Sequence, residues 1–284
     1  YGADPVFVLA SATAADPQVS ASSLTGVSVI AVTDDASPRG STEFALWEPP
    51  LQPGRGGEHG APVRRSATAE TGELLADLVV EGARTLAFVR SRRGAEAVAL
   101  NAKRTLAEVS PELPGRVAAY RAGYLPEERR ERRLQSGALL GVAATNALEL
   151  GLDITGLDAV VLTGWPGTVA SVWQQAGRAG RAGQGALAVF VARDDPLDTY
   201  LVHHPEALFG RPVEATVLDP SNPYVLGPHL CCAAAELPLT ADDLPLFGPV
   251  EQVESLLADL VRRGLLRHRP RGWFWTSRRQ VERL

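Results

Sequence analysis

The sequence has little cysteine, a single lysine (Lys103) and no methionine, and these gaps narrow the kinds of protein it can encode. Its two cysteines, Cys231 and Cys232, are adjacent, which disfavours a mutual disulfide and cannot alone build a zinc site. No apolar run approaches the roughly 18–20 residues that cross a bilayer, and no signal peptide is expected. We therefore expect no membrane partner and no resident metal, and predict a reducing, cytoplasmic setting.

What the sequence does contain is typical of a globular protein with a substantial core. Its 284 residues are 45% hydrophobic and 21% charged, enough for one large domain and one small one. The net charge of −5 hides a local excess of basic residues, because residues 262–283 hold eight arginines and one acid. Such a patch can bind phosphate even on an acidic protein. The missing methionine and the initial tyrosine lead us to expect a piece of a longer protein.

Between residues 70 and 192 the pattern alternates between apolar strands and striped helices. The predicted strands are 84–89, 117–120, 139–144, 159–163 and 186–192, and the predicted helices are 70–81, 94–109 and 169–176. A charged helix beginning at Pro126 is expected to be a solvated face. This βα repetition predicts an α/β fold, a parallel sheet with helices on both faces.

The first third of the sequence is less regular. Residues 6–10 and 27–32 have the composition of buried strands, and a helix is predicted at 17–24 between them. We expect strand 6–10 to be disordered or to pair with another chain through an exposed edge. A linker at 33–43, a strand at 44–47 and a mobile loop at 49–66 complete the prediction for this region.

After about residue 210 the sequence predicts a small separate module. Helices are expected at 222–237, where the cysteines would pack, and at 250–261, with Gly264 as the C-cap. A basic hairpin at 265–275 then indicates a winged-helix module, with a generic helical cap as the alternative. Two interpretations of this hairpin stay open: Trp273, Phe274 and Trp275 with their arginines could grip nucleic acid, or could be core and solvated surface.

Two stretches about twenty residues apart contain the most informative chemistry, namely residues 143–153 and residues 173–183. Arg178 and Arg181 stand three apart among glycine and alanine, so on a helix they would share a face. Two guanidinium groups projecting from a small-residue surface suit a polyphosphate held by another domain. The alternative for the arginine pair alone is a flexible turn with solvated side chains.

These stretches belong to a series that resembles superfamily 2 helicases. Motifs III, IV, IVa, V and VI of that superfamily correspond in order to residues 11–13 (Ser-Ala-Thr), 84–93, 120–123 (Tyr-Arg-Ala-Gly), 144–153 and 174–181 (Gln-Gln-Ala-Gly-Arg-Ala-Gly-Arg). The residues of these motifs are most similar to those of the bacterial mitomycin-repair-factor helicases and their fungal RecQ-like relatives. The resemblance covers about residues 1–210, and more weakly the rest. It implies a RecA-like sheet and three regions: 1–40 from the end of a first lobe, 41–212 as the second lobe, and 213–284 as a winged-helix-like module.

The resemblance also implies roles for individual residues. Arg181 would be the arginine finger, Arg178 a second clamp, and Gln174 a hydrogen-bonding partner near the γ-phosphate. The remaining roles are implied as follows: nucleotide binding by Gly151 and Asp153; coupling between lobes by Ser11 and Thr13; nucleic-acid contacts by Thr145, Asn146, Ser91, Arg92, Arg121 and Gly123.

Two motifs of the family are absent from these 284 residues, the phosphate-binding loop with its lysine and the Asp-Glu-x-His stretch that serves Mg²⁺. The family carries both in the first RecA-like lobe, so ATP and Mg²⁺ would be bound mainly by that lobe, a partner outside this sequence. We expect the chain alone not to hydrolyse ATP. The family's cysteine cluster is absent as well, and no zinc is implied.

The leading functional prediction is a part of an ATP-dependent DNA helicase that moves 3′→5′ and serves DNA repair, with single-stranded DNA as partner. An RNA helicase of the same superfamily is one alternative, because backbone contacts do not reveal the base. A non-catalytic nucleic-acid-binding module on a helicase-like scaffold is the other.

Overall fold

The computed structural model describes residues 5–34, 36, 40–56, 61–120, 136–146, 157–180 and 185–276. The chain divides into two compact units, Tyr1–Thr216 and Val217–Leu284. The three predicted domain boundaries stay predictions. No helix among the described residues has the length and apolar character needed to cross a membrane.

A parallel sheet of six strands forms the centre of the first unit. Its strands are Thr42–Trp47 (β1), Thr85–Phe88 (β4), Val117–Ala119 (β5), Gly141–Ala144 (β6), Ala159–Thr163 (β7) and Ala186–Val191 (β8), in the order β1-β8-β7-β4-β6-β5. Every residue of β4, β6 and β7 is buried, as expected for parallel strands covered on both faces. The predicted α/β fold is confirmed.

Helices cover both faces of this sheet. The helices of this unit are Pro17–Thr25 (α1), Ala67–Val80 (α2), Arg92–Val109 (α3), Val169–Ala176 (α4), Pro196–His203 (α5) and Glu206–Phe209 (α6), with a 3₁₀ turn at Leu113–Arg116. Of these, α1 buries none of its residues. Alternate residues along β4 and just after it enter different cores: Leu86 and Phe88 pack in one, Ala87 and the following Val89 in the other. This alternation is what a sheet with two buried faces requires.

The second unit consists of helices Pro223–Glu236 (α7) and Val250–Arg262 (α8), a 3₁₀ helix at Ala241–Phe247, and an antiparallel hairpin of Leu266–Arg269 (β9) and Gly272–Trp275 (β10). Gly264 has a φ of 75°, and the Leu265 N–H donates to the Leu260 carbonyl, so α8 ends in the glycine cap that the sequence predicts. Cys231 is fully buried in the core of this unit, as predicted, and its burial raises the pKa of its thiol to about 11.

The first third of the chain departs from prediction. Helix α1 is confirmed, but residues 6–10 and 27–32 form no strand, and Val6, Val8 and Val32 are each at least 90% exposed. Their apolar composition has no neighbouring strand to pair with among the described residues, so the strand prediction is wrong here.

Two further predictions concern the loop at 49–66 and the helix from Pro126. The predicted mobile loop contains a hairpin instead, because Leu51–Gly56 (β2) pairs antiparallel with Pro62–Arg64 (β3). Arg64 anchors it by an ion pair of 2.8 Å to Glu48. The helix predicted from Pro126 lies outside the described residues.

Candidate nucleotide and nucleic-acid site

Helix α4 holds residues 173–176 of the second motif stretch, and the sequence of the helix explains its position. Val172, Gln175 and Ala176 are buried against the sheet. On a different side of the helix, Trp173 packs edge-on against Phe44 of β1 and at a tilt against Phe209 of α6, with ring centroids 6.0 and 5.9 Å away. Aromatic contacts of this geometry stabilise beyond their buried area. The helix is therefore fixed both to the sheet and to the edge strand.

The N-terminal end of α4 has all of its first three backbone N–H groups satisfied by side chains. Val169 and Ala170 donate to the two carboxylate oxygens of Glu214, at 2.6 and 3.2 Å. Ser171 donates to the Thr168 hydroxyl at 3.0 Å. Burial acts to raise the pKa of Glu214, but the backbone hydrogen bonds outweigh it, so this pKa lies below the usual range.

The C-terminal end of α4 presents the predicted phosphate-binding groups. The Gln174 amide Nε2 donates to the Thr13 hydroxyl at 2.7 Å, although the two residues are 161 positions apart. Gly177 caps the helix and the half-buried Arg178 follows it. The Leu157 N–H donates to the Arg178 carbonyl at 3.4 Å, and the Gly180 N–H donates to the Leu157 carbonyl at 2.8 Å. The structure thus brings Thr13, Gln174 and Arg178 to one end of one helix.

The loop between β7 and α4 is held by a buried carboxylate. Asp198, fully buried in α5, accepts hydrogen bonds from the Trp165 N–H at 3.2 Å and from the Arg193 N–H at 2.9 Å. The Arg193 Nε also donates to it at 3.1 Å. Gly164 turns this loop with a φ of 75°, and a Cβ there would lie 2.7 Å from Cδ of Arg193. A bidentate acceptor and a glycine therefore set the loop that leads into α4.

A cavity of about 100 Å³ opens at the carboxyl edge of the sheet. Its lining combines strand ends with α4: Phe88, Val89, Arg90, Asn146, Thr163, Gly164, Pro166 and Gln175. Of these residues, Thr163 shares a buried 3.0 Å hydrogen bond between its hydroxyl and the Thr71 hydroxyl of α2. The carboxyl edge of an open parallel sheet is where ligands of α/β proteins bind.

The other described site residues lie near this edge in different settings. Thr145 is half-buried directly after β6, and the exposed Asn146 reaches the cavity. The Ser91 hydroxyl accepts the Gly94 N–H at 3.0 Å and so caps α3, while Arg92 is exposed in the first turn. The Ser11 hydroxyl accepts the Thr13 N–H at 3.2 Å and shapes the turn that presents Thr13. Five predicted site residues lie outside the described part of the chain: Arg181, Gly151, Asp153, Arg121 and Gly123.

Sequence reasoning missed Glu214, Asp198, Arg193, Arg90 and Gln175. The polar cluster Arg-Asp-Asp-Pro at 193–196, directly after a buried strand, was a signal that could have pointed to Arg193. Nothing local marks Asp198 as the acceptor for Trp165 or Glu214 as the cap of Val169, because these partners are 33 and 45 positions away. Only the three-dimensional structure identifies these two acids.

The donors present fit a polyphosphate but offer no metal site. An amide at Gln174 and a guanidinium at Arg178 are suitable donors to phosphate oxygens. Among the described residues, no group of three or more His, Cys, Asp or Glu side chains could hold a metal ion.

Comparison with known proteins identifies the domains of this chain. Residues 70–183 match the helicase conserved C-terminal domain, and residues 218–283 match the winged helix domain of the ATP-dependent helicase HRQ1. The chain therefore contains the C-terminal RecA-like lobe of a superfamily 2 helicase, followed by a winged-helix module. Within that class it belongs to the family of the MrfA and HRQ1 helicases.

Individual relatives place the similarity over nearly the whole chain. The uncharacterized ATP-dependent helicase YprA of Bacillus subtilis is 41% identical over 98% of this chain, which covers 36% of YprA. The helicase hrq1 of Schizosaccharomyces pombe is 36% identical over 85% of this chain and 23% of its own length. A crystal structure of the helicase MrfA superposes with a TM-score of 0.82 at 40% identity, covering 99% of this chain and 38% of MrfA. This chain thus spans less than two fifths of these relatives.

Proposed function

We propose that this chain is the arginine-bearing, strand-contacting part of an ATP-dependent DNA helicase that moves 3′→5′ and serves DNA repair. In this proposal Arg181 and Arg178 contact the phosphates of ATP, and Gln174 hydrogen-bonds near the γ-phosphate or the attacking water. Gly151 and Asp153 approach the ribose. Arginines in this role stabilise the charge that develops as the phosphoryl group is transferred, a contribution of about 10³–10⁵ in rate.

The hydrogen bond between Gln174 and Thr13 is the single observation that best supports this proposal. It joins the Ser-Ala-Thr segment to the helix of the Gln/Arg cluster across 161 positions of sequence. Coupling between these two segments is what a motor needs, because a change at the phosphate must be transmitted to the strand-binding side. Ser11 supports the same contact through the Thr13 N–H.

The nucleic-acid path is proposed to run along the carboxyl edge of the sheet. Asn146 and Arg90 line the cavity there, and Thr145 precedes it. Ser91, Arg92, Arg121 and Gly123 would extend the path. Support comes from two related structures, MrfA bound to DNA and AMPPNP, and Mycobacterium smegmatis Lhr bound to single-stranded DNA and AMP-PNP, at 40% and 25% identity. Single-stranded DNA is therefore the proposed partner.

ATP with Mg²⁺ is the proposed cofactor pair, held mainly by an N-terminal RecA-like lobe of the same protein. The phosphate-binding loop and the Asp-Glu-x-His stretch are absent from these 284 residues, which supports assigning the remaining contacts to a second lobe. Bound Mg²⁺ would neutralise phosphate charge, whereas the residues of this chain would orient the γ-phosphate. We accordingly propose that the 284-residue chain by itself does not turn over ATP.

The test is ATP hydrolysis by the full-length protein with no nucleic acid, with single-stranded DNA, and with single-stranded RNA of the same sequence. We expect DNA to stimulate hydrolysis more than RNA, and duplexes with a 3′ tail to be unwound in preference to those with a 5′ tail. Greater stimulation by RNA would favour the RNA helicase. Stimulation by neither would favour a binding module on a helicase-like scaffold.

A further inference from the structure

Glu214 occupies a position that none of the motifs explains. Its carboxylate accepts hydrogen bonds from the first two backbone N–H groups of α4, those of Val169 and Ala170, at 2.6 and 3.2 Å. A helix N-terminus favours negative charge, so the carboxylate is electrostatically matched to this end. The opposite end of the same eight-residue helix presents Gln174 and leads to Arg178.

Glu214 also lies in the segment that leads from the first compact unit to the second. Residues 211–222 form no helix or strand, and most are exposed. The first compact unit ends at Thr216 and the second begins at Val217, so Glu214 lies three residues before the winged-helix unit. A short segment of this kind cannot move far at one end without straining a hydrogen-bonded anchor at the other.

The helix does not need Glu214 for all of its capping. Thr168 is the local N-cap, and its hydroxyl accepts the Ser171 N–H at 3.0 Å. The two caps thus differ in what they connect: Thr168 belongs to the loop before α4, whereas Glu214 belongs to the segment that leads to the second unit. Substituting Thr168 therefore removes only a helix cap, whereas substituting Glu214 also removes the link to the segment. The two effects can be told apart by experiment.

We propose that Glu214 is a positioning residue for ATP hydrolysis, which couples the segment leading to the winged-helix unit to the helix that holds Gln174 and Arg178. The inference rests on the proposed function. It deepens that function by naming the contact through which a displacement of this segment on DNA binding would reach the helix of the phosphate-contacting side chains. Glu214 acts through α4 and touches no substrate.

The experiment uses the full-length protein and compares the Glu214→Ala, Glu214→Gln, Thr168→Ala and Glu112→Gln variants with the wild type. Measured quantities are kcat and KM for ATP with and without single-stranded DNA, together with Tm. Glu112 is the matched control, because it stands at the N-cap of a short helix and its side chain makes no capping hydrogen bond.

We expect Glu214→Ala to lower the stimulation of kcat by DNA by about 5-fold or more, the scale of a typical coupling between sites, while KM changes little. Glu214→Gln keeps one acceptor oxygen and should give an intermediate value. If Glu214→Ala fails to fold, the DNA stimulation of Glu214→Gln tests the inference in its place. Thr168→Ala should lower Tm yet keep the stimulation, and Glu112→Gln should change neither.

Two results would overturn the inference while the wild type is stimulated by DNA. The first is unchanged stimulation in both Glu214 variants. The second is an equal loss in Thr168→Ala, which would make Glu214 a helix cap and nothing more. A wild type without any stimulation would instead refute the proposed function, and this inference with it.

Discussion

The two ends of helix α4 differ in how their polar groups are used. At the N-terminal end, the N–H groups of Val169, Ala170 and Ser171 all have side-chain acceptors. At the C-terminal end, the Gln174 side chain reaches the opening segment of the chain, and Arg178 follows the glycine cap. Acceptor side chains hold one end, whereas the other end connects α4 to a distant part of the sequence.

This contrast shows how a short helix can position reactive groups. Eight residues make a marginal helix in isolation, so packing and caps must define where it lies. Saturating the N-terminal end and burying Val172 and Ala176 fixes the axis. The backbone from which the side chains at the other end extend then has a defined position. Substitutions at the C-terminal end should therefore affect the rate of ATP hydrolysis directly, and those of the loop before α4 should affect stability.

The largest expected effect is at the C-terminal end. Arg178→Ala in the full-length protein should lower kcat for ATP about 10³-fold, because a guanidinium that contacts phosphate in the transition state is removed. Steady-state hydrolysis with single-stranded DNA measures this, and Tm reports whether the fold is kept. Arg104→Ala, at an exposed position of α3, is the matched control. Equal rates in the two variants would remove Arg178 from the site.

Substitutions that weaken the loop before the N-terminal end of α4 should lower the stability of the fold. Asp198→Asn weakens the ion pair with Arg193 and leaves fewer acceptors for the Trp165 and Arg193 N–H groups. We expect a loss of about 3 kcal/mol in the free energy of unfolding, since one partner of a buried hydrogen-bonded pair is changed. Urea unfolding measures it. Asp194→Asn, on the exposed neighbouring residue, should cost far less, and equal costs would contradict the assigned role of Asp198.

A smaller effect is expected at the turn of the same loop. Gly164→Ala places a Cβ against the Arg193 side chain and in a left-handed conformation, at a cost of about 2 kcal/mol. Gly82→Ala isolates the conformational part, because Gly82 has a φ of 78° and open space around its Cβ position. Thermal unfolding should show the larger loss for Gly164→Ala. The same loss in both would show that the Arg193 contact is unimportant.

The smallest effect concerns the contact between the opening segment and α4. Thr13→Val removes the hydroxyl that accepts from Gln174, and we expect a tenfold lower kcat, equivalent to about 1.4 kcal/mol, with the affinity for single-stranded DNA unchanged. Hydrolysis and fluorescence-anisotropy titration measure the two quantities. Val6→Thr, on an exposed residue of the same segment, serves as the control. A wild-type kcat in Thr13→Val would show that this hydrogen bond does not couple the segments.

The sequence predicted the sheet well and the first third of the chain poorly, for one physical reason. The runs at 159–163 and 27–32 are both apolar, but the first has strands β4 and β8 on either side and the second has no strand beside it among the described residues. Composition indicates that a run can form a strand, and pairing decides whether it does. The cap at Gly264 was predictable because its signal is local.

The candidate site divides in the same way. Gln174, Arg178 and Thr13 were recognisable from short motifs, and the structure brings them together. Asp198 and Glu214 were not, because each acid acts on a backbone segment of another element, tens of residues away in sequence. Motifs reveal groups that would touch a ligand, while the groups that position them depend on tertiary structure.

The most direct test of the central claim compares ATP turnover by the 284-residue chain with that of the full-length protein, each as wild type and as Arg181→Ala. The chain alone should show no turnover above its variant. The full-length protein should be stimulated by single-stranded DNA and should lose that activity with Arg181→Ala. Turnover by the chain alone above the Arg181→Ala background would contradict the claim that it supplies one side of a shared ATP site.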